Sequence, residues 1–131
     1  MSALDAAGLY IGLNLLILLG LGFLVSLGRR DSAVSLGDGG KPALACRVRA
    51  HGNAAEWIPG ALIGLVVLAL MGASAFLIHA LGLIFTLGRG VHAYAMCTGA
   101  KPGPARFFGS IITYATYLVL AIAVIYFAVT V

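Results

Sequence analysis

Charge is what this chain has least of. Acidic and basic residues make up 9% of its 131 residues, whereas a soluble domain carries about 25%. That shortage excludes a water-soluble globular domain, because too little polar surface is available to cover a core. Acidic groups are the scarcer kind, four against eight Lys and Arg, for a net charge of +4. The basic residues gather in two loops and at helix ends rather than along one stripe, so nucleic acid is not an expected partner. The only cysteines, Cys46 and Cys97, offer neither metal-ligand spacing nor a disulfide framework; both read as small residues in helix packing. No GK[ST] follows the glycines of Gly37-Asp38-Gly39-Gly40, which removes a phosphate loop. No metal site is expected.

What remains is apolar: 62% of the residues are hydrophobic, with a mean hydropathy of +1.09. The length accommodates four spans of about 20 residues or more with short connections. The expected fold is all-α, an integral membrane four-helix bundle forming a single domain over 1–131, with spans near 4–27, 42–70, 75–96 and 105–130. The first apolar run lacks a basic leader and is too long for a signal-peptide core, so it is expected to stay as a span. Within it Gly8 and Gly12 permit close helix approach, and the lone polar Asn14 reads as an interhelical hydrogen-bonding group. Arg29 and Arg30 end this span, where cations suit the helix C-terminus and anionic headgroups. A loop from Gly28 to Lys41 follows, and Pro42 suits the first turn of the next helix. His79, near the start of span three, reads as interfacial. Tyr114, Tyr117 and Tyr126 of span four read as packing or interfacial residues.

Against this background Cys46-Arg-Val-Arg-Ala-His-Gly-Asn-Ala-Ala-Glu-Trp-Ile-Pro59 stands out. An ionised side chain at the bilayer centre costs at least a few kcal/mol, and polar groups at that depth usually mark a site. Arg49, Asn53 and Glu56 are spaced i, i+4, i+7 and fall on one helical stripe; Arg47 and His51 point elsewhere on the same turns. Pro59 removes a backbone hydrogen bond and is expected to bend the helix just past Glu56. Arg89, His92 and Met96 share a face of span three, and Arg106 opens span four. Arg29, Arg30, Lys41, Lys101 and Arg106 all flank the first and third loops, so the positive-inside rule places those loops in the cytoplasm and both termini outside. The stripe, the Arg89/His92 face and Arg106 then converge at one membrane surface. An excess of arginines over one carboxylate suits an anionic, carboxylate-bearing ligand. The plainer reading is an Arg–Glu pair that only fixes helix packing.

The run Arg49-Ala-His-Gly-Asn53-Ala-Ala-Glu56 follows an RA-x-x-N-x-x-E pattern, and on it the chain resembles the MAPEG family, the membrane-associated proteins of eicosanoid and glutathione metabolism. The likeness covers essentially the whole chain, and GDGG followed by R-x-HGN-A-x-E-[YW]-IP is nearest to the small bacterial members. It implies a homotrimer with glutathione held in clefts between protomers near the cytoplasmic face of the inner membrane. It further implies that Arg49, Asn53 and Glu56 hold glutathione and that His51 makes a polar contact from a neighbouring subunit; Arg29 and Arg30 are further candidates for binding glutathione. Arg89 and His92 align with an R-x-x-[HY] face, and Arg106, in Pro104-Ala-Arg106, with an arginine beside the glutathione sulfur. Two departures remove hydroxyl groups: Trp57 and Met96 stand where many members carry tyrosine. Reaching Arg106 from His92 also takes one extra residue.

Three functions follow as expectations. The first is a glutathione-dependent transferase or peroxidase acting on a lipophilic electrophile, with Arg106 as the catalytic cation. The second is a non-catalytic glutathione- or lipid-binding membrane scaffold. The third is a small proton-coupled exporter, for which Glu56 is the only suitably placed carboxylate, although such exporters place it in the first span.

Overall fold

A computed structural model describes residues 1–98 and 103–130. It consists of α1 (Ala3–Ser32), α2 (Pro42–Leu70), α3 (Ala75–Thr98) and α4 (Pro104–Thr130), and no strand occurs among the described residues. All four helices are long and apolar enough to cross a membrane. At about 1.5 Å per residue, each exceeds the roughly 30 Å of a hydrocarbon core. The protein is an all-α membrane bundle.

Local chemistry sets the helix limits. Ser2 and Asp5 form a capping box at the start of α1: the Ser2 hydroxyl accepts from the Asp5 N–H at 3.1 Å and the Asp5 carboxylate from the Ser2 N–H at 2.8 Å. At the other end Ala33 takes a left-handed conformation (φ 53°), and its N–H donates to the carbonyls of Arg29 and Arg30. α1 therefore runs past Leu27 to Ser32. Arg29 and Arg30 form its last turn, and the connecting loop starts at Ala33 rather than Gly28. Pro42 occupies the first turn of α2, where its missing N–H costs nothing.

α2 and α3 pack together at the centre, α1 lies against both on one flank, and α4 lies against both on the other. α1 and α4 do not meet among the described residues. The register alternates in direction along the chain. Tyr10 and Asn14 of α1 meet Gly82 and Thr86 of α3 in parallel, as Tyr117 and Leu120 of α4 meet Gly60 and Gly64 of α2. α1 and α2 run antiparallel, pairing Gly22 with His51 and Gly28 with Leu44. Every arginine of the described residues thus sits toward the same end of the bundle, where α1 and α3 finish and α2 and α4 begin. Lys101, counted above toward orientation, lies outside the described residues.

Polar ties lock α1 to α3. Asn14 is fully buried and its Nδ2 donates to Thr86 Oγ1 and to the Tyr10 carbonyl, each at 2.8 Å. The Tyr10 hydroxyl lies 3.0 Å from His79 Nδ1, with the two rings edge to face. Asn14 is therefore a packing group, and His79 has a specific partner. In lipid such interhelical hydrogen bonds average about 0.6 kcal/mol. Tyr10 reaches His79 only because residue 82 is glycine; a Cβ there would overlap its ring. Overpacking of this kind costs about 1–3 kcal/mol. Gly82→Ala is expected to lower the apparent unfolding temperature of the detergent-solubilised protein. Gly90→Ala, where a Cβ meets nothing within 4 Å, is expected to leave it unchanged.

Candidate functional site

α2 carries its polar residues into the bundle on opposite faces. Arg49 and Glu56, two turns apart, form a forked ion pair, with Nη1 to Oε1 at 2.8 Å and Nη2 to Oε2 at 3.4 Å. Both side chains nonetheless remain open, 57% and 52% exposed. Between them Asn53 turns toward α3, and its Oδ1 accepts from Arg89 Nη2 at 2.8 Å. Arg89 is only 1% exposed, a guanidinium enclosed by the bundle. Burying such a charge is costly unless its donors are satisfied, yet Arg89 Nε has no hydrogen-bond partner.

One turn further along α3, His92 is also buried, and its Nδ1 is likewise unpartnered. α4 closes over it through Gly109, where a Cβ would fall 2.7 Å from that of His92. Arg106 lies one turn before Gly109 and so reaches the same end of the bundle. It is half-buried, and its side chain has no hydrogen-bond or ionic partner among the described residues. Met96, the third residue of the α3 face, is buried in the hydrophobic core. Glu56, the carboxylate an exporter would use, is paired with Arg49 in this structure.

The remaining sequence-predicted residues lie on the other flank. His51 is two residues from Arg49 and hence about 200° around the helix. Its Nε2 would lie 3.5 Å from a Cβ on Gly22 of α1. A groove of about 370 Å³ opens there between α1 and α2, lined by Gly22, Val25, Ser26, Arg29, Val48 and His51. Arg29 Nε donates to the Gly37 carbonyl at 3.1 Å. Arg30 pairs with Asp31 at 3.4 Å on the exposed surface, and Arg47 lies against Gly28. The structure therefore brings together Arg49, Asn53, Glu56, Arg89 and His92, with Arg106 at the same end, and separates them from His51, Arg29 and Arg30. Within one chain these are two polar clusters on opposite sides of α2.

Spacing within single helices did not reveal the aromatic residues beneath the Arg49–Glu56 cluster. Trp57 of α2 contacts Tyr114 and Tyr117 of α4, with ring centroids 5.1 and 5.0 Å away. Tyr117 lies against Gly60 and Leu120 against Gly64, a register between two helices that the periodicity of neither one carries.

The MAPEG family model matches residues 7–126. The inner membrane protein YecN of Escherichia coli strain K12 is 35% identical over 88 residues, 67% of this chain and 67% of that one. YecN of Escherichia coli O6:H1 strain CFT073 matches to the same extent. No solved structure matches significantly. With nearly the whole chain covered by the family model and four membrane-length helices in place, the chain belongs to the MAPEG family.

Proposed function

We propose that the protein is an inner-membrane, glutathione-dependent transferase or peroxidase whose site is completed between copies in a homotrimer. The observation that carries this reading is the exposed Arg49–Glu56 pair beside a buried Arg89 whose Nε is unpartnered. Open groups of opposite charge suit a ligand that carries both charges. The amino-acid end of glutathione has a carboxylate for Arg49 and an ammonium for Glu56, so each can exchange its intrachain partner for one from the ligand. Arg89 occupies Asn53 Oδ1 and thereby leaves the Asn53 amide N–H groups to donate to a ligand carbonyl. Arg89 and His92 support this wall from behind. On the opposite flank, His51 with Arg29 and Arg30 supplies the contacts that a neighbouring copy brings. Orientation follows the positive-inside rule, with both half-sites at the cytoplasmic surface.

The chemistry asked of the protein is modest. A free thiol has a pKa near about 8.5, and only its thiolate is a good nucleophile. Arg106 is the cation placed to hold the sulfur in that form, since arginine keeps its proton at any physiological pH. The thiol proton passes to water. The sulfur then bonds to the electrophilic carbon of a lipophilic substrate, and the leaving group departs with the bonding electron pair.

Calorimetry on the detergent-solubilised protein is expected to show glutathione binding that weakens by about thirtyfold or more in Arg49→Ala, the range for truncating one partner of a charge pair. Arg106→Ala is expected to bind glutathione nearly as before while conjugating chlorodinitrobenzene about a hundredfold more slowly. Normal rates in that variant remove Arg106 from its role. Binding without turnover on either chlorodinitrobenzene or an organic hydroperoxide reassigns the protein as a non-catalytic binder.

The assembly is tested separately. Arg49→Ala and His51→Ala chains, each impaired alone, are expected to regain part of the wild-type glutathione binding when co-expressed. Mixed assemblies then contain sites with both half-sites intact. No recovery in co-purified mixtures means that the site does not cross between copies.

A further inference from the structure

Immediately after Glu56, the chemistry on the α4 flank changes from ionic to aromatic. The Trp57 indole is tilted by 52° against Tyr114 and stands edge-on, at 87°, to Tyr117. The Tyr117 hydroxyl donates to the Trp57 carbonyl, and its ring reaches Phe85 of α3. These contacts hold Trp57 in place without enclosing the cluster. Tyr114 is 51% exposed, and its hydroxyl has no hydrogen-bond partner among the described residues.

The three rings pack on one another rather than standing singly along a helix end. Trp57 is sixteenth of the 29 residues of α2, and Tyr114 and Tyr117 are eleventh and fourteenth of the 27 of α4. Directly below, an apolar groove of about 330 Å³ runs between α2 and α4, lined by Gly60, Gly64, Tyr117, Leu120, Val124 and Ile125 among others. Tyr117 belongs to both the cluster and the groove. One flank thus presents an ionic layer, an aromatic layer and an aliphatic layer in order of depth.

We propose that Trp57, Tyr114 and Tyr117 form the subsite for the second substrate, and that this substrate is amphipathic, with a planar aromatic head and a hydrocarbon tail. The inference rests on the glutathione reading above and adds the substrate class to it. Stacking rewards a ring placed against Trp57 and Tyr114 beyond the area it buries, whereas a straight chain gains only burial. The Tyr114 hydroxyl offers a donor at the level of the ring, and the groove takes the tail.

Trp57 is the only tryptophan in the chain, so intrinsic fluorescence reports directly on this place. In detergent and without glutathione, a decyl-substituted naphthoquinone is expected to quench that fluorescence saturably. Binding is expected to weaken roughly tenfold in Tyr114→Leu and to persist in Tyr114→Phe, the size expected for lost stacking. Nonenal, a straight-chain electrophile, is expected to displace the quinone only at far higher concentration. Quenching that never saturates, equal loss in the Leu and Phe variants, or equal competition by nonenal overturns the proposal. So does a Trp57 shielded from the quinone by a second copy, seen as absent quenching together with a change of oligomer size in Tyr114→Leu. Because the titration contains no glutathione, these failures leave the calorimetric result standing. A chain that binds the quinone but not glutathione refutes the earlier reading and keeps the aromatic pocket.

Discussion

Arg89 of α3 and Asn53 of α2 share one hydrogen bond, and the surrounding architecture has to accommodate it. A guanidinium cannot face hydrocarbon without a large penalty, so α2 and α3 must approach closely and stay in register. The small residues of α3 and α4 serve the same end. Gly88 and Gly109 let α4 lie directly over His92, which seals the interior on that side. Asn53 in turn has its amide orientation set by Arg89, and this decides which of its atoms the outer face presents. One buried contact therefore fixes helix spacing, depth and the polarity of the wall beside Arg49 and Glu56.

The other cations of this end are handled individually. Arg49 has Glu56, Arg30 has Asp31, Arg29 has the Gly37 carbonyl, and Lys41 Nζ donates to the Ser32 carbonyl at 2.6 Å. Arg106 and Arg47 have no such arrangement among the described residues. Among the described residues only Arg30 and Arg49 are paired with a carboxylate, and the half-buried Arg106 guanidinium, without one there, is a local source of positive potential. Its position at the start of α4, next to the helix N-terminus, adds to that potential rather than offsetting it.

Much of this was legible in the residues alone. Low charge and long apolar runs dictate a membrane bundle, and the i, i+4, i+7 spacing of Arg49, Asn53 and Glu56 puts them on one stripe because α2 is a continuous helix. The same periodicity already sends His51 to the far side. Other features were hidden for identifiable reasons. The extra turn of α1 depends on a left-handed Ala33, a conformation that alanine seldom signals. The meeting of Trp57 with Tyr114 depends on the register of α4 against α2, which is set by Gly60 and Gly64 and leaves no trace in the periodicity of either helix. That Asn53 contacts Arg89, rather than a ligand alone, also requires knowing how two separate helices align. The association of copies rests on the family likeness and not on anything a single chain displays.

The absence of contact between α1 and α4 carries a consequence for symmetry. Because the central pair separates them, one flank of each chain offers Arg49, Glu56 and Trp57, and the opposite flank offers His51 and Arg29. A two-fold dimer would set like flank against like flank. Joining unlike flanks requires a head-to-tail, heterologous contact, and such contacts close only into rings or run on as open filaments. If the site is completed between copies as proposed, a small closed ring in the plane of the bilayer is the arrangement that leaves no flank unmatched.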